Sequence, residues 1–246
     1  MQLKTPIAQG NTAKIHLHDN QIIKVFHDYF PQDEAVKEAA KQEAVRASGL
    51  PVPRIFNVTK IDENPAIVME YIKGRTLGDL LMENMEQAEY YFNISVDMQM
   101  KIHEVNLNSI ESMAGKLKRQ IYLAQKLTDI QKSGLIDKLD QMKYDISLCH
   151  GDFHLFNLIM SDHKLFIIDW IDASIGDIRA DVCRTYLLYS QQHQDLAELY
   201  LKLYCDKSGI SEEEIMEWAP IIAGARLSEI IPTEDFERLL DIANNY

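Results

Sequence analysis

The segment His150-Gly151-Asp152-Phe153-His154-Leu155-Phe156-Asn157 is the densest polar cluster in this chain. Twelve residues beyond Asn157, after the turn Ser161-Asp162-His163, the chain reads Phe166-Ile167-Ile168-Asp169-Trp170. Two apolar runs of strand length, Leu158–Met160 and Leu165–Ile168, are expected to pair across that turn as a hairpin. Such a hairpin draws Asn157 and Asp169 together, next to Asp152. Three oxygen-bearing side chains at the mouth of a hairpin suit a hard cation and a hydroxyl nucleophile. Asp152 and Asn157 alone would read as an Asx-type turn after a strand; Asp169 in register tips the reading toward chemistry.

Other polar residues carry less. Lys24 sits inside the apolar run Ile22-Ile23-Lys24-Val25-Phe26, where a lysine is usually the exposed side of an alternation. His16-x-His18 puts two rings on one strand face with no third ligand nearby. Asp152-x-His154 lacks the further elements of a metallophosphoesterase, and Cys149 beside His150 makes no convincing nucleophile pair. Ala114-Gly115-Lys116-Leu117 lacks the first glycine and the hydroxyl of a Walker A loop. Met82, Met85, Met98, Met100 and Met113 fall in helical segments and read as core.

The elements that must position these residues change character along the chain. Ala13–His18 alternates, Asp19-Asn20 makes a turn, and Gln21–Phe26 runs apolar. Pro31 opens a helix with Asp33 and Glu34 in its first turn, and Gly49 closes it before Pro51. Arg54–Lys60 and Ala66–Tyr71 read as two more strands, divided by Asp62-Glu63-Asn64-Pro65. The expectation is four antiparallel strands and one helix. From Thr76 the spacing is helical, with long helices expected across 76–105 and 109–145, an interruption at Leu148–Trp170, and helix again from Asp177 to the end. The fold class is therefore α+β, with a boundary near Lys73-Gly74 between a small lobe (1–74) and a larger, mainly helical lobe (75–246).

Composition bounds the function. The chain has 246 residues, 46% hydrophobic and 26% charged, which is enough for a core without disulfides or metals. Its net charge of −13 has the wrong sign for a nucleic-acid or membrane-surface binder. Residues 1–74 carry nine basic and nine acidic side chains, so the whole excess lies in 75–246, with 16 basic and 29 acidic. That asymmetry is either a solvated surface or a field that draws in a cationic small molecule, with Asp172 and Asp177 as carboxylates to hold it. Met1–Pro6 has no apolar run of a secretory signal, and three cysteines are an odd number at wide spacing. A cytoplasmic protein is expected; the sequence is silent on oligomeric state.

The series His150-Gly151-Asp152-x-x-x-x-Asn157 and Ile168-Asp169-Trp170, continued by Ile175-Gly176-Asp177, Asp181-Val182 and Arg184-Thr185, resembles the aminoglycoside phosphotransferase and choline kinase-like family. Gly49–Pro53 and Ile67–Gly74 resemble it too, so the likeness runs over about residues 8 to 190. It implies a protein-kinase-like, two-lobed fold and an enzyme moving the γ-phosphate of ATP, or of GTP, to a hydroxyl of a small molecule such as an aminoglycoside or another amino alcohol. In that reading Asp152 orients or accepts the acceptor proton, and Asn157 and Asp169 hold Mg²⁺. Lys24 points at the α- and β-phosphates and pairs with a helix glutamate, Glu38 by spacing rather than Glu43. The turn at Gly10 and Asn11 covers the phosphates, although the glycine series is incomplete. Backbone groups of Glu70 and Ile72 read adenine, and Asp181 accepts backbone N–H groups from the catalytic loop. Ile178 stands where the family commonly has proline. The rival readings are a nucleotide-binding module that has lost transfer, and a metal-dependent phosphoesterase.

Overall fold

Three two-residue turns set the registers of the hairpins. Asp19-Asn20 (φ 48° and 59°), Asp62-Glu63 (48° and 67°) and Asp162-His163 (46° and 63°) take positive φ at both positions. That backbone matches the right-handed twist of the strands on either side, and Asp and Asn tolerate it best. The computed structural model describes residues 3–229 and 234–245.

Strands β1 (Ala8–Gln9), β2 (Ala13–His18), β3 (Gln21–Phe26), β4 (Ile55–Ile61) and β5 (Asn64–Glu70) form an antiparallel sheet in the order β1-β2-β3-β5-β4. The sequence reading lacks β1, a two-residue strand that pairs Ala8 with Ile15 and Gln9 with Lys14 and is too short to show a period. Pro65 faces Lys60 of β4, while the β3 ladder starts at Ala66, so its missing N–H interrupts nothing there. Helix α1 (Glu34–Ala47) ends where Gly49 turns to φ 93°. Its Ala35 and Ala39 pack with Phe26, Ile67 and Met69 of the sheet; Ile171 also lies against this cluster.

The chain groups into two compact units, one made of residues up to Leu80 with Phe156–Ile171, the other of Leu81–Leu155 with Asp172 onward. The linear reading at Gly74 put 156–171 with the helices. It groups instead with the residues up to Leu80: β8 (Leu158–Ser161) pairs with β6 (Arg75–Thr76) and β9 (Lys164–Ile167) in a separate three-stranded sheet. The Ile167 N–H also donates to Pro51 O at 2.9 Å, and Ser161 Oγ to Lys73 O at 2.8 Å.

Both expected long helices are divided. The stretch 76–105 becomes α2 (Leu77–Glu83), a 3₁₀ turn at Met85–Gln87 and α3 (Ala88–His103). The stretch 109–145 becomes α4 (Met113–Leu123) and α5 (Asp129–Gln141). Side-chain caps mark both starts: Ser112 accepts the Gly115 N–H and opens α4, and at the break Thr128 and Gln131 form a reciprocal capping box that opens α5. Strand β7 (Ser147–Cys149) pairs with β10 (Ser174–Gly176). Helices α6 (Ile178–Ser190), α7 (Gln194–Ser208), α8 (Glu212–Met216), α9 (Ala219–Arg226) and α10 (Phe236–Ala243) follow. Within the helical expectation, 230–233 lie outside the described residues, as do Met1 and Gln2 at the start of the apolar-run reading. In this unit α9 is buried along its whole length, and Phe92, Val96, Leu148, Val182, Tyr200 and Trp218 are fully enclosed. Among the described residues no helix is long and apolar enough to cross a membrane.

Candidate active site

The side chains singled out by sequence fall into two groups, each inside one unit. In the sheet unit, Lys24 lies on the same face of β3 as Ile22 and Phe26, both of which belong to the packing with α1. It is therefore buried, at 4% exposure, rather than on the exposed side of an alternation. Its Nζ donates to Glu38 Oε1 and to Asp169 Oδ1, both at 2.8 Å. Glu43 is occupied elsewhere: its Oε1 accepts the Ile55 N–H at the start of β4. Burial alone would pull Lys24 down, but the charges of Asp169 and Glu38 and their hydrogen bonds outweigh it and hold the ammonium above the usual lysine range. Burial pushes Glu38 up against the pull of Lys24, and its Oε2 is enclosed with no hydrogen-bond partner. Two carboxylates thus converge on one cation, and the more exposed of them, Asp169, faces partly outward.

Asp169 follows β9 with φ 65°, an uncommon left-handed backbone for a residue with a side chain. The Ile168 N–H donates to Asn157 O at 3.0 Å, extending the β8–β9 hairpin so that Asn157 and the residue before Asp169 face each other. Asn157 is buried. The hairpin expected from sequence therefore brings these two residues to one end of the same ladder.

Gly10 and Asn11 form the exposed link between β1 and β2. Gly10 N–H donates to Ala13 O at 3.0 Å, Gly10 O lies 3.1 Å from His27 Nε2, and Asn11 O accepts the Tyr29 hydroxyl at 2.5 Å. A Cβ at Gly10 would meet nothing within 4 Å, so no steric demand fixes glycine there. Glu70 ends β5 with its N–H committed to Arg54 O at 2.8 Å, and Ile72 is buried. His16 is a satisfied strand histidine, its Nδ1 2.7 Å from Lys4 O.

In the helical unit, α6 shapes the loop that carries Asp152. Asp181, Thr185 and Tyr189 stand at i, i+4 and i+8, on one face of the helix. Asp181 Oδ1 accepts the Gly151 N–H at 2.7 Å, Thr185 Oγ1 donates to Phe153 O at 2.9 Å, and Tyr189 Oη accepts the Leu155 N–H at 2.9 Å. Residues 151, 153 and 155 are thus held, and the side chains of Asp152 and His154 come together, 3.4 Å apart. Asp181, expected to fix this loop, also accepts from Gln99 Nε2 (3.1 Å) and meets His103 Nε2 (3.0 Å), whose other nitrogen lies 2.8 Å from Tyr204 Oη. Gly151 has φ 80°, and a Cβ there would stand 2.3 Å from Asp172 O. Only glycine fits.

Burial alone would raise Asp152. The His154 hydrogen bond and the charges of His154, Arg184 and His150 outweigh it and hold the carboxyl well below the usual carboxylate range. Asp152 is therefore ionised at neutral pH. The carboxylates expected to hold a cationic acceptor are already engaged. Asp172 Oδ1 accepts from Lys116 Nζ at 2.5 Å. Asp177 caps α6, accepts from Arg179 and takes the Trp218 indole N–H at 3.0 Å. Contrary to that expectation, Lys116 and Arg179 answer these two charges from within the same unit.

Sequence reading missed several of these partners. Thr185 and Tyr189 had a usable signal, being polar side chains at helical spacing from Asp181. Lys116 and His103 had none, since a lone lysine or histidine in a helix does not announce its partner.

The model of the phosphotransferase enzyme family matches residues 5–218. Among curated proteins, the LicA homolog of Metamycoplasma hominis is 26% identical over 246 residues, covering 95% of this chain and 92% of that protein. Acyl-CoA dehydrogenase family member 10 of Mus musculus is 26% identical over 243 residues, covering 81% of this chain and 23% of that protein. This chain thus spans about a quarter of the length of the first curated relatives it matches. Among solved structures, choline kinase LicA from Streptococcus pneumoniae superposes with a TM-score of 0.67 at 18% identity, covering 100% and 94% of the two chains. A thermostable mutant of aminoglycoside phosphotransferase APH(4)-Ia, in a ternary complex with ADP and hygromycin B, gives a TM-score of 0.71 at 11% identity, covering 99% and 91%. The protein-kinase-like fold is common to them.

Proposed function

The chain belongs to the phosphotransferase enzyme family, and on that premise we propose that it moves the γ-phosphate of ATP, with Mg²⁺, to a hydroxyl of a small molecule. The observation that carries this reading is the buried Lys24, held at 2.8 Å by both Glu38 and Asp169. A cation fixed between two carboxylates is costly to bury, and its outward partner Asp169 is placed to face a further positive charge. In this proposal Lys24 neutralises the nucleotide phosphates, as in kinase-like phosphoryl transfer.

The residues present fit Mg²⁺. Among the described residues no group of three or more His, Cys, Asp or Glu side chains is placed to hold a metal ion, but Mg²⁺ is commonly bound by one or two protein oxygens plus substrate phosphates and water. Asp169 and Asn157 would supply those oxygens, and the ion would neutralise phosphate charge. Asp152, ionised and steadied by His154, orients the acceptor hydroxyl and takes its proton as the new O–P bond forms and the bond from Pγ to the β–γ bridging oxygen breaks, with ADP leaving. The reaction asks the protein for position and charge more than for covalent chemistry. A cytosolic setting fits three free thiols. Amino alcohols and aminoglycosides are the first acceptors to screen, since the superposed structures include a choline kinase and a hygromycin B complex.

The test is coupled ADP release over a panel of hydroxylated metabolites and aminoglycosides, with and without Mg²⁺. Acceptor-dependent, Mg²⁺-dependent ADP release supports the proposal. In Asp152→Ala, turnover should fall by roughly 10² to 10⁴, the usual worth of a positioned base, while nucleotide affinity stays within a few-fold. Nucleotide binding without ADP release on any acceptor would favour a non-catalytic module.

A further inference from the structure

We infer that Lys41 is a positioning residue for Asp169, acting through the backbone of Ile171. The inference rests on the metal–nucleotide role proposed above for Asp169. Lys41 stands one turn beyond Glu38 on α1, so the two side chains leave the same helix face. Lys41 Nζ donates to Ile171 O at 2.7 Å. Glu38 holds Lys24, and Lys24 holds Asp169, each at 2.8 Å. The contacts close a ring: α1 to Lys24, Lys24 to Asp169, two residues of backbone to Ile171, and back to α1 through Lys41. The Ile171 side chain adds a second tie, packing against the cluster that contains Ala35 and Ala39 of the same helix.

The ring encloses the one backbone feature in this segment that needs external support. Asp169 has φ 65°, a conformation an L-residue adopts at a cost and keeps only where its surroundings fix it. The Lys24 bond fixes the carboxylate end of Asp169. The Lys41 bond fixes the chain two residues further on, so the direction of the carboxylate is set from both sides. A neutral side chain at 41 would leave Ile171 O without this charged donor and weaken the second of the two tethers on Asp169, the Ile171 side-chain packing remaining.

The experiment is an Mg²⁺ titration of the nucleotide-induced thermal shift in wild type, Lys41→Met, Lys41→Arg and Gln42→Leu. Gln42 is the control: it is the next residue on α1, and its buried amide donates to Pro53 O at 2.8 Å, away from Asp169. Loss of a group that orients a metal ligand typically costs about 10-fold or more in metal affinity. Lys41→Met should raise the half-saturating Mg²⁺ by about that factor, and Lys41→Arg should restore most of it. Gln42→Leu should lower the melting temperature of the free protein without moving the Mg²⁺ midpoint. A Lys41→Met midpoint within twofold of wild type overturns the inference, and so does an equal shift in Gln42→Leu, which would mean general loosening of α1. A wild-type protein with no Mg²⁺-dependent shift would instead overturn the metal-site reading itself, and this inference with it.

Discussion

Replacing Asp181 with asparagine tests whether α6 is what shapes the loop that carries Asp152. The carboxylate is 2% exposed and is met by three donors: the Gly151 N–H at 2.7 Å, His103 Nε2 at 3.0 Å and Gln99 Nε2 at 3.1 Å. An asparagine keeps the shape but offers one oxygen, so its amide must face at least one of those donors. One or two buried donors left unpaired, together with the lost charge, predict a destabilisation of about 3–4 kcal/mol at neutral pH. The pH dependence gives an independent measure. Burial would raise Asp181, but the His103 hydrogen bond and charge, the Gly151 N–H and the charge of His150 outweigh it and hold the carboxyl at about 2, below its ordinary value of about 3.9. A carboxyl depressed on folding contributes stability that is fully present above its unfolded value and lost as pH falls through its folded value. Here that contribution is about 2 kcal/mol at pH 7, with about half of it gone by pH 3. Urea melts of wild type and Asp181→Asn at pH 7, 5, 4 and 3 should therefore show the gap narrowing only between about pH 4 and pH 2. Taking the difference between the two proteins removes titrations they share. A gap below about 1 kcal/mol at pH 7, or one that does not change with acid, would refute the reasoning. Turnover should fall as well, because the Gly151 N–H adjoins Asp152.

Other outcomes follow from the same geometry. Asp169→Ala should abolish most of the Mg²⁺-dependent part of a nucleotide thermal shift, where a ligand at 100 times its dissociation constant adds roughly 2.7 kcal/mol in the intact protein; an unchanged shift would move the metal site elsewhere. Gly151→Ala should cost roughly 2–4 kcal/mol by chemical denaturation, because its Cβ would stand 2.3 Å from Asp172 O at φ 80°. Gly209→Ala has a similar φ of 76° but open space around the new Cβ, so it should cost only about 1 kcal/mol. Equal losses at the two glycines would show that backbone strain alone, and not the close approach to Asp172, makes Gly151 necessary.

The local part of this protein is written in adjacent residues. Asp19-Asn20 and Ser161-Asp162-His163 are legible as turns because their side chains tolerate positive φ, and a two-residue link then fixes the register of the strands on either side. The hairpin end that joins Asn157 and the residue before Asp169 follows from that register. The helix from Glu34 is marked by its own flanking residues, Pro31, Asp33 and Gly49. Where a break rests on a cap inside a helical pattern, as at Thr128 and Gln131, the signal is present but weaker than the periodicity around it, and two helices read as one.

Pairing at long range was settled elsewhere. Whether Lys24 faces solvent or core depends on which side of β3 receives α1, and both sides of that strand are apolar. Spacing favours Glu38 over Glu43, and the packed helix makes the reason visible: five residues set the two side chains roughly 140° apart around α1, so one aims at Lys24 and the other at the start of β4. Asp172 and Asp177 are carboxylates by sequence, but Lys116, Arg179 and Trp218 decide that their charge is already answered. The grouping of 156–171 with the residues up to Leu80, and the tie from Lys41 to Ile171, join residues more than eighty positions apart. Spacing along a chain determines turn, period and motif, because those are properties of a few successive dihedral angles. Which charge meets which is a property of packed surfaces, and only the tertiary structure brings those surfaces together.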